Sequence, residues 1–176
     1  CLAICPESAL TEKPRRIGVA EYGAADGVAF GHGRLDVGAI QTPALIRHVK
    51  RCARDDAVVI VDAPPGTSCP VIEAVKGTDF VLLVTEPTPF GLNDLELAVG
   101  MVRTLRVPFA VAINRCDMGD DRVVQYCRRE EIDVAMEIPN DRKIAEAYSR
   151  GQMMVDILPE YATRFRQLYE RIHERS

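Results

Sequence analysis

Apolar residues fall along this chain in short unbroken runs separated by amphipathic stretches. Residues 57–61 read Ala-Val-Val-Ile-Val and lead into Asp62. Phe80-Val81-Leu82-Leu83-Val84 runs into Thr85, and Phe109-Ala110-Val111-Ala112-Ile113 into Asn114. A shorter run, Val134-Ala135-Met136-Glu137-Ile138, ends at Pro139. Runs without alternation predict strands buried on both faces, as in a parallel sheet covered by helices. Between them, Leu92, Leu95, Leu97, Val99, Met101, Val102 and Leu105 line the apolar face of one predicted helix. Val123, Val124 and Cys127 mark a second. Strand and helix alternating at this spacing predict βαβ units with right-handed crossovers. Asn140 is placed to cap a helix starting near Asp141, with Gly151 closing it. Thr42-Pro43 opens an earlier helix over 44–53, with proline in its first turn. The expected fold class is α/β, a mostly parallel sheet with helices on both faces.

The C-terminal stretch has Leu158, Tyr161, Phe165, Leu168, Tyr169 and Ile172 at helical spacing. Glu160, Glu170 and Glu174 dilute its basic face, which favours a helix docked on the core over one lying on a membrane. At 176 residues, 47% apolar and 27% charged, the chain can bury one sizeable core. A net charge of −4 gives no electrostatic footprint for nucleic acid. No apolar run reaches the roughly 18 residues of a membrane span, and no signal peptide is expected before the domain. Six cysteines without a secretion signal fit a reducing, cytoplasmic compartment.

Candidate chemistry gathers at the carboxyl ends of the predicted strands, where ligands of parallel sheets bind. Asp62 sits at such an end, before Pro64-Pro65-Gly66-Thr67. A carboxylate there suits a Mg²⁺ bound to phosphates. Glycine lets a backbone N–H approach a γ-phosphate closely. The blander reading is a buried strand ending in a polar turn. Asn114 ends another run; its amide both donates and accepts, which suits base reading, although Asn is equally a turn residue. Cys1-Leu2-Ala3-Ile4-Cys5-Pro6 has the spacing C-x3-C-P, the tail of the bacterial ferredoxin run. The alternative is a pair of ordinary thiols. Cys69, at a predicted helix start, is a weaker redox or metal candidate than a structural thiol. Cys52, Cys116 and Cys127 read as core thiols. His32, His48 and His173 are assigned no chemistry, and no G-x-S-x-G elbow exists.

Taken together, these segments resemble the MinD/ParA-like P-loop ATPases that carry an inserted ferredoxin domain. Mrp-type iron–sulfur carriers and the nitrogenase iron protein are relatives in that family. The resemblance runs through Gly33-Arg34-Leu35-Asp36-Val37-Gly38 and Asp62 through Val71. It continues through Val84 to Asp94, Ile113-Asn114-Arg115 and Ile138 to Asp141. It implies that residues 1–13 are the tail of a ferredoxin-like insert and 14–176 the C-terminal part of a MinD-like nucleotide domain. It implies ATP or ADP with Mg²⁺, and a [4Fe–4S] cluster, as cofactors. Asp62 then resembles the catalytic Walker B acid that holds Mg²⁺, and Gly66 and Thr67 the switch facing the γ-phosphate. Asn114 resembles the asparagine that reads the base edge, and Pro139 and Asp141 belong to the loop on the adenine face. Cys1 and Cys5 would be cluster ligands. The implied partners are the nucleotide, a redox or iron–sulfur partner protein and a second copy of the parent chain, with no nucleic acid.

One departure limits this. A P-loop needs G-x-x-x-x-G-K-[ST]. Lys13, Lys50, Lys76 and Lys143 follow Glu12, Val49, Val75 and Arg142, never glycine. The phosphate cradle is expected upstream of Cys1, and this chain alone is expected to be inactive. The expected parent is an ATPase coupled to an iron–sulfur insert, in electron transfer or cluster handling. Two alternatives stand beside it. One is a non-catalytic partner-binding module. The other is a GTPase using the N-x-x-D spacing of Asn114 and Asp117, against which Arg115 in place of lysine and the I-P-N-D loop weigh.

Overall fold

The structure, a computed structural model, describes residues 2–7, 9–54 and 56–175. The chain forms two compact units, Cys1–Ala63 and Pro64–Ser176. In the first, a single 3-10 turn (Leu2–Ile4) precedes an antiparallel hairpin of β1 (Gly18–Ala25) and β2 (Val28–Leu35). Ala25 pairs with Val28, so Asp26 and Gly27 form the whole turn, both with positive φ (52° and 80°). Asp-Gly is the residue pair that such two-residue turns demand. Helix α1 (Thr42–Lys50), with proline in its first turn as expected, lays its buried Leu45 on Gly33 of β2. It ends three residues earlier than the predicted 44–53 span.

Residues 57–61 depart from expectation. They form no strand, and Val58 and Ile60 are 67% and 90% exposed. Their β-favouring composition is not enough, because a strand is stabilised by cross-strand neighbours rather than by its own backbone preference. Every described strand pairs only with another of the five, so this segment has no ladder partner.

The second unit begins with α2 (Cys69–Val75) and then alternates β3 (Val81–Thr85), α3 (Pro89–Leu105), β4 (Phe109–Asn114), α4 (Arg122–Arg129) and β5 (Val134–Ile138). The three strands form a parallel sheet in the order β3-β4-β5. The chain ends in α5 (Arg142–Ser149), α6 (Met154–Ile157) and α7 (Glu160–His173). Central β4 explains the unbroken apolar run. Val111 and Ile113 pack with Leu95 and Val99 of α3 and with Val123, Tyr126 and Cys127 of α4. Ala112 belongs to a second cluster with Met136, Met154, Tyr161 and Leu168. With helices on both faces, every second residue is as buried as its neighbours.

On α3, Leu95, Val99 and Val102 form the buried stripe at i, i+4, i+7, while Leu97, two positions from Leu95, faces outward. Helix α7 docks on the core through Tyr161 and Leu168, as its charge pattern suggested. Arg164 donates to the carbonyl of Glu137, and Arg171 to that of Ala135 and to the Asp133 carboxylate. Among the described residues, no helix is long and apolar enough to cross a membrane.

Candidate functional site

Parallel registry decides what meets at the carboxyl end of the second unit's sheet. Thr85 of β3 lies beside Ile113 of β4, and Asn114 beside Ile138 of β5. The next step along β3 therefore places Glu86 next to Asn114. The Asn114 side-chain amide donates to Glu86 Oε1 at 3.4 Å, and Arg115 Nε lies 3.6 Å from the same oxygen. Arg115 is left-handed (φ 50°), and the chain leaves the sheet there. An open cavity of about 350 Å³ lies at these strand ends, lined by Thr85, Glu86, Thr88, Gly91, Asp94 and Asn114 among others.

The walls of this cavity are tightly built. The buried Thr85 hydroxyl donates to the Gly91 carbonyl at 2.9 Å. The Thr88 hydroxyl accepts from Gly91 N–H at 3.0 Å and caps α3. A Cβ on Gly91 would stand 2.2 Å from the Glu86 carbonyl oxygen, so only glycine permits this strand-to-helix turn.

Two hydrogen bonds fasten the loop after β4 to the loop after β5. Cys116 N–H donates to the Ile138 carbonyl at 3.0 Å. Asn140 N–H donates to Asp117 Oδ1 at 2.6 Å. Asn114, Pro139 and Asp141 are thus brought to one corner. Asp141, rather than the expected Asn140, caps α5, accepting from Lys143 N–H at 2.8 Å. Among the described residues, only the backbone N–H of Asn140 is engaged, by Asp117. Burial, with the Glu137 and Asp117 charges, pushes the Cys116 thiol up, and burial does the same to Cys127; both are poor nucleophiles.

The remaining sequence candidates lie on other segments of the chain. Asp62 is exposed, in an irregular segment of the first unit. Gly66 and Thr67 lie exposed in the bend before α2. Gly66 has φ 93°, and nothing lies within 4 Å of where a Cβ would be. That open, glycine-dependent backbone fits the approach of a phosphate. Cys5 is a partly buried free thiol, and Cys1 lies outside the described residues. No group of three or more His, Cys, Asp or Glu side chains among the described residues could hold a metal. A four-thiolate cluster is therefore not completed by this chain's described side chains. Glu86 and the Asp117 tie escaped sequence reasoning. The signal for Glu86 lay within the quoted Val84 to Asp94 segment, but only strand registry gives it meaning.

No family model matches the chain. It is 30% identical over 154 residues to an uncharacterized protein of Methanocaldococcus jannaschii, covering 86% of this chain and 54% of that protein. It is 28% identical over 108 residues to an iron–sulfur cluster carrier protein of Pyrococcus horikoshii, covering 53% of this chain and 37% of the carrier. The chain thus spans about half the length of the first relative. Among solved structures it matches the MinD cell division protein of Aquifex aeolicus. The TM-score is 0.55 and the identity 18%, over 81% of this chain and 62% of MinD. The fold is therefore an α/β, MinD-like one, and the chain is a distant relative of iron–sulfur cluster carriers.

Proposed function

We propose that this chain is the C-terminal part of a MinD-type ATPase and supplies the base-reading corner of its nucleotide site. The observation that carries this is the Asn114 corner. The amide stands at a strand's carboxyl end, beside an open cavity, with the 138–141 loop fastened to it by Cys116 and Asp117. Asn114 would read the adenine edge, with Pro139 on its face and Asp141 holding the start of α5. Asp62 would hold Mg²⁺ through water, and the ion supplies charge neutralisation at the phosphate oxygens. Gly66 and Thr67 would present backbone to the γ-phosphate.

The relationship to iron–sulfur cluster carriers supports the second half of the reading. The parent protein would couple nucleotide state to a [4Fe–4S] domain, with Cys1 and Cys5 among its ligands. It would act as a cytoplasmic homodimer, with electron transfer or cluster handling as output. The GTPase alternative keeps Asp117 as a candidate, since Oδ1 accepts Asn140 N–H and a carboxylate has further acceptor sites. Arg115 in place of lysine and the I-P-N-D loop weigh against it.

Calorimetric titration of the full-length protein with Mg-ADP and Mg-GDP tests the reading. Adenine preference should amount to about 1–3 kcal/mol or more, because a site built for one base leaves polar groups unpaired with the other. Asn114→Ala should weaken ADP binding and flatten the preference. Equal affinities in the wild type, or tighter GDP, would hand the site to the GTPase reading.

A further inference from the structure

We infer that Glu86 sets the base specificity of this site, by fixing the Asn114 amide and by repelling a purine that carries an oxygen at position 6. The inference rests on the base-reading role proposed for Asn114 and goes one step beyond it. An asparagine amide by itself is not selective. It can turn its oxygen or its nitrogen toward a ligand, and so can meet either a donor or an acceptor. Here a neighbouring carboxylate biases that choice. Glu86 Oε1 accepts from Asn114 Nδ2 at 3.4 Å, so the nitrogen is drawn to the carboxylate and Oδ1 is left as the free acceptor. Arg115 Nε, 3.6 Å away, steadies the same carboxylate oxygen.

A carboxylate is acceptor-only. Asn114 Oδ1 and the Glu86 carboxylate therefore make a double acceptor at the cavity wall. The other charged residue of that wall is Asp94, also negative; among the described residues no lysine or arginine lines the cavity itself, although Arg115 pairs with the Glu86 carboxylate beside it. A ligand group with two hydrogens to give fits this wall. The 6-amino group of adenine has them. The 6-oxo group of hypoxanthine or guanine has only lone pairs there and would face acceptors and negative charge. The cavity also disfavours phosphates on the same grounds, so the base is the part of a nucleotide it suits. Glu86 is thus a positioning residue toward Asn114 and a direct obstacle to the wrong base. Its place is set by backbone registry, since Thr85 pairs with Ile113 one step earlier.

The test uses the full-length protein with Mg-ADP and Mg-IDP, whose bases differ at position 6 and in the N1 proton that goes with it. Glu86→Gln keeps the size of the side chain, removes the charge and adds a donor. The ratio of ADP to IDP affinity should fall about tenfold, through tighter IDP binding as much as through weaker ADP binding. Gain of affinity for IDP is not something a damaged fold can produce. Glu86→Ala, which frees the Asn114 amide to turn, should move the ratio in the same direction. An unchanged ratio in both variants, with Asn114→Ala still flattening it, would overturn the role of Glu86 and leave base reading by Asn114 standing. A wild-type protein that binds ADP and IDP equally, or neither, would overturn base reading itself and Glu86 with it.

Discussion

Two glycines of one helix show how single atoms decide the shape of the corner. Gly91 sits in the first turn of α3, where a Cβ would meet the Glu86 carbonyl oxygen at 2.2 Å and the Thr85 hydroxyl at 3.1 Å. Gly100, nine residues on, has nothing within 4 Å of that position. Gly91→Ala should cost about 1–3 kcal/mol, the range for forcing an extra carbon into a packed site. Gly100→Ala should stabilise by about 0.5–1 kcal/mol, because it removes a flexible residue from a helix interior without a clash. Urea unfolding of both variants checks the pair; two shifts of the same sign would contradict the geometry. Residue-scale chemistry was legible only where it is local. Asn114 could be found because it ends an apolar run. Glu86 could not, because its partner lies 28 residues away and only the β3–β4 registry joins them. Asn140 was misassigned as the cap. The helix begins one residue later than the pattern suggested, at Arg142, so Asp141 is the residue whose side chain can cap it, while the Asn140 N–H meets Asp117, 23 residues earlier in the chain.

At the scale of elements, the apolar runs located β3, β4 and β5, and the 3.6-residue stripes located α3, α4 and α7. Each of these elements makes its own case within about a dozen residues. What the stripes could not show is how neighbouring helices are latched. Arg103 near the end of α3 donates through Nη1 to the Glu130 carboxylate at 2.9 Å and through Nη2 to the Glu130 carbonyl at 3.0 Å, at the end of α4. The hydrogen bond from Arg103 holds the Glu130 carboxyl below the usual glutamate range. A carboxyl with a depressed folded pKa adds stability above its unfolded pKa, about 4.3, and that stability is lost as pH falls through the folded pKa. Wild type should therefore exceed Glu130→Gln in urea midpoint at neutral pH, with the gap closing in acid. The gap should also shrink with added salt, since the pair is partly exposed. A gap independent of pH would mean that shape, not charge, joins these two helices. Helix α7 does comparable work on β5, where Arg164 and Arg171 occupy carbonyls that an outer strand would otherwise use.

For the whole molecule, the distribution of parts across the chain carries the functional argument. In the proposed reading Asp62, Gly66 and Asn114 would supply a carboxylate, an open backbone and a base-reading amide, but no lysine follows a glycine. This chain by itself should show no ATP turnover above background. The full-length protein should hydrolyse ATP slowly and lose most of that activity on Asp62→Asn, because the Asp62 carboxylate is what would hold Mg²⁺. Turnover by this chain at the full-length rate would contradict the assignment of the phosphate site to another segment.

Residues 57–61 make the same point in structural terms. Their apolar, β-favouring run predicts a strand buried on both faces, yet 57–60 are exposed, Val61 is only half-buried, and none is paired in a ladder. Sequence can state that a segment is suited to a sheet, but the ladder needs a second strand, and that partner is not among the strands described. A segment of this composition, left in water, exposes Val58 and Ile60 at the cost of about 25 cal/mol for each Å² of apolar surface. Burial between two neighbours would recover that energy and satisfy the backbone N–H and C=O groups together. Hydrogen exchange measures this directly. In the chain alone, the amides of 58–61 should exchange as fast as an unfolded segment, while those of β4 exchange slowest. In the full-length protein, 58–61 should become protected to a degree comparable with β4. Continued fast exchange there would show that Asp62 does not sit at a strand end, and would remove the physical ground for placing it beside Mg²⁺.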